Sequence, residues 1–229
     1  METETKQFIV LDTETTGLPK TPRFGAWYSP SETHYYTSSR VIQVAVVSST
    51  ESHVWLIRPE NFSIKNSEFH GITQEMALGG VSWNTMITEL MDILKRYDVI
   101  VGHNILFDIN VLAAELYKRD QLALASELLA IPYECTMFNG KMYMNTYRYP
   151  KLTVLYEYLF QEQINQKHDA LEDCCITYDC YIRMKNLDRA RKYTFKKNRT
   201  EWKELVTIGN KGIEYGKSIV HKIIGNIKQ

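Results

Sequence analysis

Near its start the chain reads Phe8-Ile9-Val10-Leu11-Asp12-Thr13-Glu14-Thr15-Thr16-Gly17. The apolar run 8–11 predicts a buried strand, and side chains two residues apart on a strand point to the same face. Asp12 and Glu14 would therefore share a face, where two carboxylates are costly unless a cation meets them. Magnesium and manganese prefer oxygen ligands and often share them with a phosphate, so the pair predicts metal-assisted hydrolysis of a phosphodiester.

The pair by itself has a structural alternative. An Asp-x-Glu triplet is expected about once by chance in a chain of this size and acid content. In that case the two acids would only mark a strand end that runs into a solvated turn. Further acidic residues elsewhere in the chain are needed to decide between a metal site and a solvated strand end.

Composition and charge divide the chain into a body and a tail. The 229 residues are 44% hydrophobic and 24% charged, which predicts one sizeable α/β domain with an appendage. The net charge is zero, but residues 186–229 hold 11 Lys and Arg against 4 Asp and Glu. An acidic body with a basic tail is therefore expected.

The cysteines and the first residues of the chain indicate the cellular compartment in which the protein is expected. Cys135, Cys174, Cys175 and Cys180 form no Cys-x-x-Cys pair, which argues against a zinc site and predicts reduced thiols in the cytoplasm or nucleus. The polar, acidic start predicts that there is no signal peptide. No apolar run approaches the length of a transmembrane span, so none is expected.

Hydrophobic periodicity predicts alternating strands and helices after three early strands. The predicted strands are 6–13, 41–48, 53–58, 98–102 and 134–137, and the second and third should form an antiparallel hairpin. The predicted helices are 82–97, 107–118, 121–130, 151–160 and 170–186. This order predicts an α/β fold with a mixed central sheet and helices on both faces.

A third acid follows the fourth predicted strand. Asp108 comes after the turn Gly102-His103-Asn104 and would lie in the first turn of a helix. Its structural alternative is an acid that complements the helix dipole. The polar turn before it would place hydrogen-bonding groups beside a phosphate.

The last predicted helix of the body begins with another group of acids. Asp169 is placed as the helix N-cap with Glu172 as its capping-box partner, which gives both a structural role. Asp173 lies a turn further in, beside two cysteines of the apolar stripe. His168 precedes the helix, and with Asp173 five residues away it is a candidate base rather than an ordinary polar residue.

Three motifs in this order resemble the DnaQ-like 3′–5′ exonucleases of the DEDDh type. They are Asp-Thr-Glu-Thr-Thr-Gly-Leu at 12–18, Gly-His-Asn-x-x-x-Asp at 102–108 and His-x-x-x-x-Asp at 168–173. The segments 69–73 and 150–153 also resemble the family. The resemblance covers about residues 6–186 and implies a ribonuclease-H-like fold, with an exonuclease domain over 1–186. The charge and apolar spacing of the tail predict a basic, partly helical C-terminal extension over 187–229.

The resemblance also implies roles for individual residues. Asp12, Glu14, Asp108 and Asp173 would hold two divalent metal ions, Mg²⁺ or Mn²⁺, with Asp108 acting through water. His168 would be the general base of a metal-dependent 3′–5′ exonuclease that releases 5′-nucleoside monophosphates from a single-stranded or frayed 3′ end of DNA or RNA. The residues that would lie along the terminal nucleotides are Thr15, Thr16, Gly17, Leu18, His103, Asn104 and Phe107.

Two regions depart from the family or lie beyond it. The loop 19–40 is longer than usual, and its aromatic residues Trp27, Tyr28, Tyr35 and Tyr36 would either stack on bases or pack onto the body. The basic tail would grip phosphates, dock a protein partner, lie on a membrane surface or remain solvated. The alternative function is a non-catalytic nucleic-acid-binding or scaffold module that keeps an exonuclease-like fold.

Overall fold

The computed structural model describes residues 6–23 and 25–194. The five strands of its sheet are Phe8–Thr15 (β1), Val41–Val47 (β2), Ser52–Leu56 (β3), Val99–Gly102 (β4) and Tyr133–Cys135 (β5). The α-helices of the described residues are Ser67–His70 (α1), Gln74–Leu78 (α2), Trp83–Leu94 (α3), Leu106–Tyr117 (α4), Leu122–Ala130 (α5), Thr136–Tyr143 (α6), Leu152–Phe160 (α7) and Ala170–Thr194 (α8). Most of the predicted basic extension, 195–229, lies outside the described residues.

The strands form a single mixed sheet in the order β3-β2-β1-β4-β5. β1 pairs antiparallel with β2 and parallel with β4, while β2 and β3 form the predicted antiparallel hairpin. β1 therefore lies at the centre of the sheet with a partner strand on each side. The predicted α/β architecture is confirmed.

Helices cover both faces of β1, and alternate side chains of the strand pack against different helices. Ile9 and Leu11 belong to the larger core, which also contains buried residues of α3 and α4. Val10 belongs to a second core with Cys174 and Tyr178 of α8. Because strand side chains alternate, Asp12 and Glu14 follow Val10 onto the α8 side.

Several elements differ from the sequence prediction, among them the short helices α1 and α2, which were not predicted. β1 continues to Thr15, because β2 still pairs with it across a register shift between Glu14 and Thr15. α8 continues to Thr194, so the predicted domain boundary at 186 falls inside one helix, and the division into domain and extension stays a prediction. α6 was not predicted because Thr-Met-Phe-Asn-Gly-Lys-Met-Tyr has no one-sided apolar pattern.

The described residues also bear on the cysteine and membrane predictions. Cys135, Cys174, Cys175 and Cys180 all carry free thiols, and the Cys174 thiol donates to the Ala45 carbonyl at 3.3 Å. No helix of the described residues is both long and apolar enough to cross a membrane. A reducing compartment stays a prediction.

Candidate active site

Three carboxylates meet where β1 packs against the start of α8. Asp12, Glu14 and Asp173 each offer one oxygen, and these atoms all lie within 4.8 Å of one another. The strand supplies two of them because Asp12 and Glu14 share its α8 face. Asp173 completes the group from the first turn of the helix.

Gln43 of β2 holds the start of α8 against the sheet. Its side-chain carbonyl accepts from the Ala170 backbone N–H at 3.0 Å, and its amide donates to Asp169 at 3.3 Å. Gln43 also lies opposite Glu14 in the strand pairing. Sequence reasoning missed this residue, although a single polar side chain inside the apolar run Val41–Val47 was a usable signal.

Asp169 caps the start of α8 as the sequence predicts, whereas the capping-box contact of the Glu172 side chain stays a prediction. The Glu172 backbone N–H donates to the Asp169 carboxylate at 3.1 Å, so Asp169 satisfies one of the free N–H groups of the first turn. This capping fixes where the helix begins, and it therefore fixes the position of Asp173 one turn later.

Asp108 approaches β1 from α4. It is buried in the first turn of that helix, and its Oδ1 accepts from both the backbone N–H and the hydroxyl of Thr13, at 2.9 and 2.7 Å. Thr13, which sequence reasoning did not single out, therefore joins α4 to the strand between Asp12 and Glu14. Asp108 lies outside the group of three carboxylates, so its predicted action through water stays a prediction.

Burial and mutual repulsion raise the pKa of all four acids. Burial is the largest cause for each, and the neighbouring carboxylates add to it. The pKa of Asp12 rises well above its ordinary value, and that of Glu14 rises to about 8. The pKa of Asp108 rises to about 7 although Thr13 hydrogen bonds oppose the shift, and that of Asp173 rises to about 6.

The donor set fits a hard divalent cation. Asp173 Oδ2 accepts from the Gln166 amide at 2.7 Å, while its buried Oδ1 has no hydrogen-bond partner among the described residues. Within the described part of the chain, no Lys or Arg forms an ion pair with any of the four acids. An all-oxygen site with excess negative charge suits Mg²⁺ or Mn²⁺.

The predicted base lies beside this group but not within it. His168 is exposed in the segment before α8, with a left-handed φ of 53°. Its charge lowers the pKa of Asp173, a smaller effect than that carboxyl's burial, so the two side chains are electrostatic neighbours. Catalytic contacts are often completed only when substrate is bound, and the role of His168 as base stays a prediction.

The segment after the paired acids folds back onto residues 38–40. Thr15 donates to the Gly17 carbonyl at 2.8 Å, and Thr16 donates to the Ser38 carbonyl at 2.9 Å. Gly17 has a φ of 155°, and a Cβ there would lie 3.0 Å from the Ser38 oxygen, so the close approach favours glycine. Leu18 is left 78% exposed beside the site.

His103 has two internal partners. Its ring nitrogens lie 3.0 Å from the Thr136 hydroxyl and 3.0 Å from the Pro150 carbonyl, and burial lowers its pKa to about 4. The Pro150 carbonyl can only accept, so His103 donates to it from Nε2. The Thr136 hydroxyl, which contacts Nδ1, also donates to the Gly102 carbonyl at 3.2 Å. Any contact of His103 with substrate must use the face of the ring.

The remaining predicted substrate residues follow the same turn. Asn104 has a positive φ of 70°, which asparagine tolerates better than most residues, and its carbonyl accepts from the Phe107 N–H at 2.8 Å. Phe107 packs against the larger core and, at a centroid distance of 6.1 Å, against Trp27. Their predicted contacts with nucleotides stay predictions.

Most aromatic residues of the loop 19–40 pack internally. Tyr36 is fully buried and donates to the Tyr28 carbonyl at 2.7 Å, while Tyr28 and Tyr35 stack with ring centroids 3.6 Å apart. For these three the packing alternative describes the structure. Trp27 is different, because it also lines a cavity.

Comparison with known proteins identifies the family. The exonuclease model of the RNase_T family matches residues 9–181, which include all five predicted catalytic residues. The chain belongs to this exonuclease family. The predicted DnaQ-like, ribonuclease-H-like assignment is confirmed, and the fold is that of a nuclease. Family membership and the acidic group together confirm the predicted divalent cofactors.

Individual relatives agree with this assignment. DNA polymerase III subunit epsilon of Escherichia coli (strain K12) is 27% identical over 203 residues, covering 80% of this chain and 73% of the relative. A 3′-exonuclease solved in 3′-end-specific recognition of a histone mRNA stem-loop has a TM-score of 0.56 at 14% identity, covering 79% of this chain. The chain spans only 64% of that exonuclease's length.

A second solved structure has the same fold. S. pombe Pop2p, in a Mg²⁺- and Mn²⁺-bound form, has a TM-score of 0.52 at 13% identity, covering 77% of this chain and 81% of Pop2p. At such identities the two solved structures establish the shared fold, and the chemistry of this chain rests on its own residues.

Proposed function

We propose that this exonuclease is a divalent-metal-dependent 3′–5′ exonuclease, which releases 5′-nucleoside monophosphates from a single-stranded or frayed 3′ end. The observation that carries the proposal is the group of three carboxylates, Asp12, Glu14 and Asp173. Their oxygens lie within 4.8 Å of one another, and no Lys or Arg of the described residues forms an ion pair with them. The 3′–5′ direction is supported by the motif resemblance.

The side chains of the site have different roles in hydrolysis. Asp12, Glu14 and Asp173 hold the metal ions, and Asp108 supports them from its anchor on Thr13. Bound divalent ions supply charge stabilisation at the phosphate and lower the pKa of water. His168 accepts a proton as the water oxygen bonds to phosphorus. The bond from phosphorus to the 3′-oxygen breaks, which leaves a 5′-phosphate on the released nucleotide. The leaving 3′-oxygen takes a proton from solvent water to become the new 3′-hydroxyl of the strand.

The experiment uses single-stranded and duplex oligonucleotides of DNA and RNA, each labelled at either the 3′ or the 5′ end. Activity with Mg²⁺ or Mn²⁺, and its loss in EDTA, tests metal dependence. Immediate release of 3′ label as a mononucleotide, with stepwise shortening of the 5′-labelled strand, is the expected result. Asp173→Asn should lose activity, while the exposed helical Asp92→Asn is a matched control that should retain it.

Two outcomes would contradict the proposal. Release of mononucleotides from the 5′ end, or cleavage that persists unchanged in EDTA, would overturn the direction or the metal dependence. Binding of every substrate without cleavage would favour the alternative, a non-catalytic module with the same fold.

We also propose that the residues after α8 add affinity for long substrates. Residues 195–229 contain 8 Lys and Arg against 3 Asp and Glu, and cationic contacts with phosphates weaken as salt rises. Truncation after Thr194 keeps all of the described part of α8, Ala170–Thr194. It should raise KM for long strands and reduce the salt dependence of KM. An unchanged KM at every salt concentration would favour a protein partner for this segment.

A further inference from the structure

A cavity of about 670 Å³ lies between the loop 19–40 and the segment where β5 passes into α6. We name it the Trp27 cavity. Trp27 belongs to one wall, and Tyr133 and Phe138 belong to the other, with Tyr149 close by. Its size falls in the range of small-ligand sites, which are mostly apolar with a few polar groups.

The Trp27 cavity is lined by residues of the two segments that carry acidic-site residues, but not by the carboxylates themselves. Leu18 and Asn104 both line it. Leu18 lies four residues after Glu14, and Asn104 lies four residues before Asp108. The cavity therefore opens along the two segments that carry the carboxylates, while the carboxylates themselves remain outside its lining.

Charge decides which part of a nucleic acid fits there. No Lys or Arg occurs among the described residues that line the cavity. Its charged lining residue is Glu134, whose carboxylate pairs with Lys185 at 2.8 Å. The two nearby lysines are already engaged, Lys185 with Glu134 and Lys141 over the Tyr149 ring at 4.7 Å. A phosphate would therefore find no free cation in the described lining and would meet a carboxylate. An uncharged, flat ring would gain aromatic contacts, with side-chain amides available at its edge from Asn104 and Asn139.

We propose that the Trp27 cavity binds an unpaired nucleobase of the substrate strand, located upstream of the scissile phosphate. The inference rests on the proposed exonuclease function and names a substrate requirement for it. A base in this cavity cannot remain paired with a complementary strand, so more than the terminal nucleotide must be single-stranded. The long loop 19–40 thereby sets substrate preference through Trp27.

The test uses a series of DNA and RNA oligonucleotides with a 3′-terminal label, so that only the first excision is measured. One substrate has all its bases, and the others carry a single abasic site at the second, third or fourth position from the 3′ end. For the full-length wild type, one abasic position should raise KM by about 5- to 100-fold, the range expected for loss of one base–aromatic stack.

The variants connect that position to the cavity. Trp27→Ala should raise KM on the complete substrate by a similar factor and should add little when the base is already missing. Trp27→Phe should largely restore binding. Phe138→Ala changes the opposite wall and should act in the same direction, which guards against a local folding effect at Trp27. Tyr147→Ala is the control, because Tyr147 is 98% exposed and does not line the cavity.

Each outcome is decisive. Two results would overturn the cavity proposal while excision continued. In the first, the effects of the abasic site and of Trp27→Ala on KM are additive. In the second, neither Trp27→Ala nor Phe138→Ala changes KM. Failure of the wild type to release label from any substrate would instead overturn the proposed exonuclease function.

Discussion

Helix α4 carries a buried acid near each end. The two acids have different charged neighbours, and their pKa values shift in opposite directions. Near the C-terminal end, the Glu115 carboxylate accepts from Arg40 and Arg119 and lies 3.7 Å from Lys118. Burial favours a higher pKa for Glu115, but these cations outweigh it and lower the pKa. At the N-terminal end, Asp108 adds its charge to carboxylates without a basic partner, and its pKa rises to about 7.

The difference separates a structural acid from a functional one. The fold can surround a buried carboxylate with cations, as it does for Glu115. Leaving Asp12, Glu14 and Asp173 unpaired is costly, so their retention indicates a cation supplied from solution. The Glu115 cluster connects α4 to the loop 19–40. Arg40 is the last residue of this loop, and Lys118 donates to the Tyr36 carbonyl within it at 2.8 Å.

The largest expected effect is on turnover at the unpaired site. Asp12→Asn should reduce kcat by about 10³-fold or more, since it removes a charge that the reaction uses directly. Glu115→Gln should retain kcat when measured well below its unfolding temperature. Both are measured as initial rates of mononucleotide release with Mg²⁺. Near wild-type turnover of Asp12→Asn would remove the distinction between the two acidic regions.

His168 extends the comparison to the proton acceptor. His168→Ala should lower kcat by roughly 10²- to 10⁴-fold with a much smaller change in KM, as expected for loss of a general base. The pH–rate profile should also lose its acid limb. His34→Ala, in the 3₁₀ turn of the loop, is a matched histidine control. If His168→Ala weakened binding while kcat held, His168 would be a positioning residue.

The sequence predicted the unpaired acids better than the paired one. Motif order located Asp12, Glu14 and Asp173, and periodicity located the sheet and most helices. The Glu115 cluster was not predicted, although Lys118 and Arg119 follow Glu115 at i+3 and i+4, a local spacing that sequence reasoning overlooked. The third partner, Arg40, lies 75 residues away, and no local pattern connects it to Glu115. Thr13 and Gln43, which fix Asp108 and α8, were missed for a related reason. Gln43 stands out as a polar residue in an apolar strand, but the partners of both residues come from strand pairing and helix packing, which local patterns do not encode.

A smaller effect is expected on stability at the paired site. Glu115→Gln should lower the free energy of unfolding by about 2–4 kcal/mol, because it leaves three cations near a buried neutral amide. Asp12→Asn should not destabilise the fold, since it relieves repulsion among neighbouring carboxylates. Urea unfolding of both variants in EDTA checks this. Equal destabilisation by the two substitutions would show that groups of the protein itself stabilise the Asp12 carboxylate, as cations stabilise that of Glu115.

The smallest effect is a pH dependence of stability with opposite signs for the two regions. Burial and neighbouring acids raise the pKa of Glu14 from 4.5 to about 8. The folded protein therefore retains a proton that the unfolded chain releases, so this contribution to stability is full at low pH and is lost as pH rises towards 8. The pKa of Glu115 is lowered, so its contribution is present above the ordinary carboxylate pKa and is lost as pH falls.

In EDTA, Tm should fall by several degrees from about pH 5.5 to about pH 8.5, and Glu14→Gln should flatten that decline. Mg²⁺ should raise Tm more at the higher pH, because protons no longer compete for the carboxylates. A Tm that rises with pH in EDTA would mean that the carboxylates of the acidic site are paired as Glu115 is.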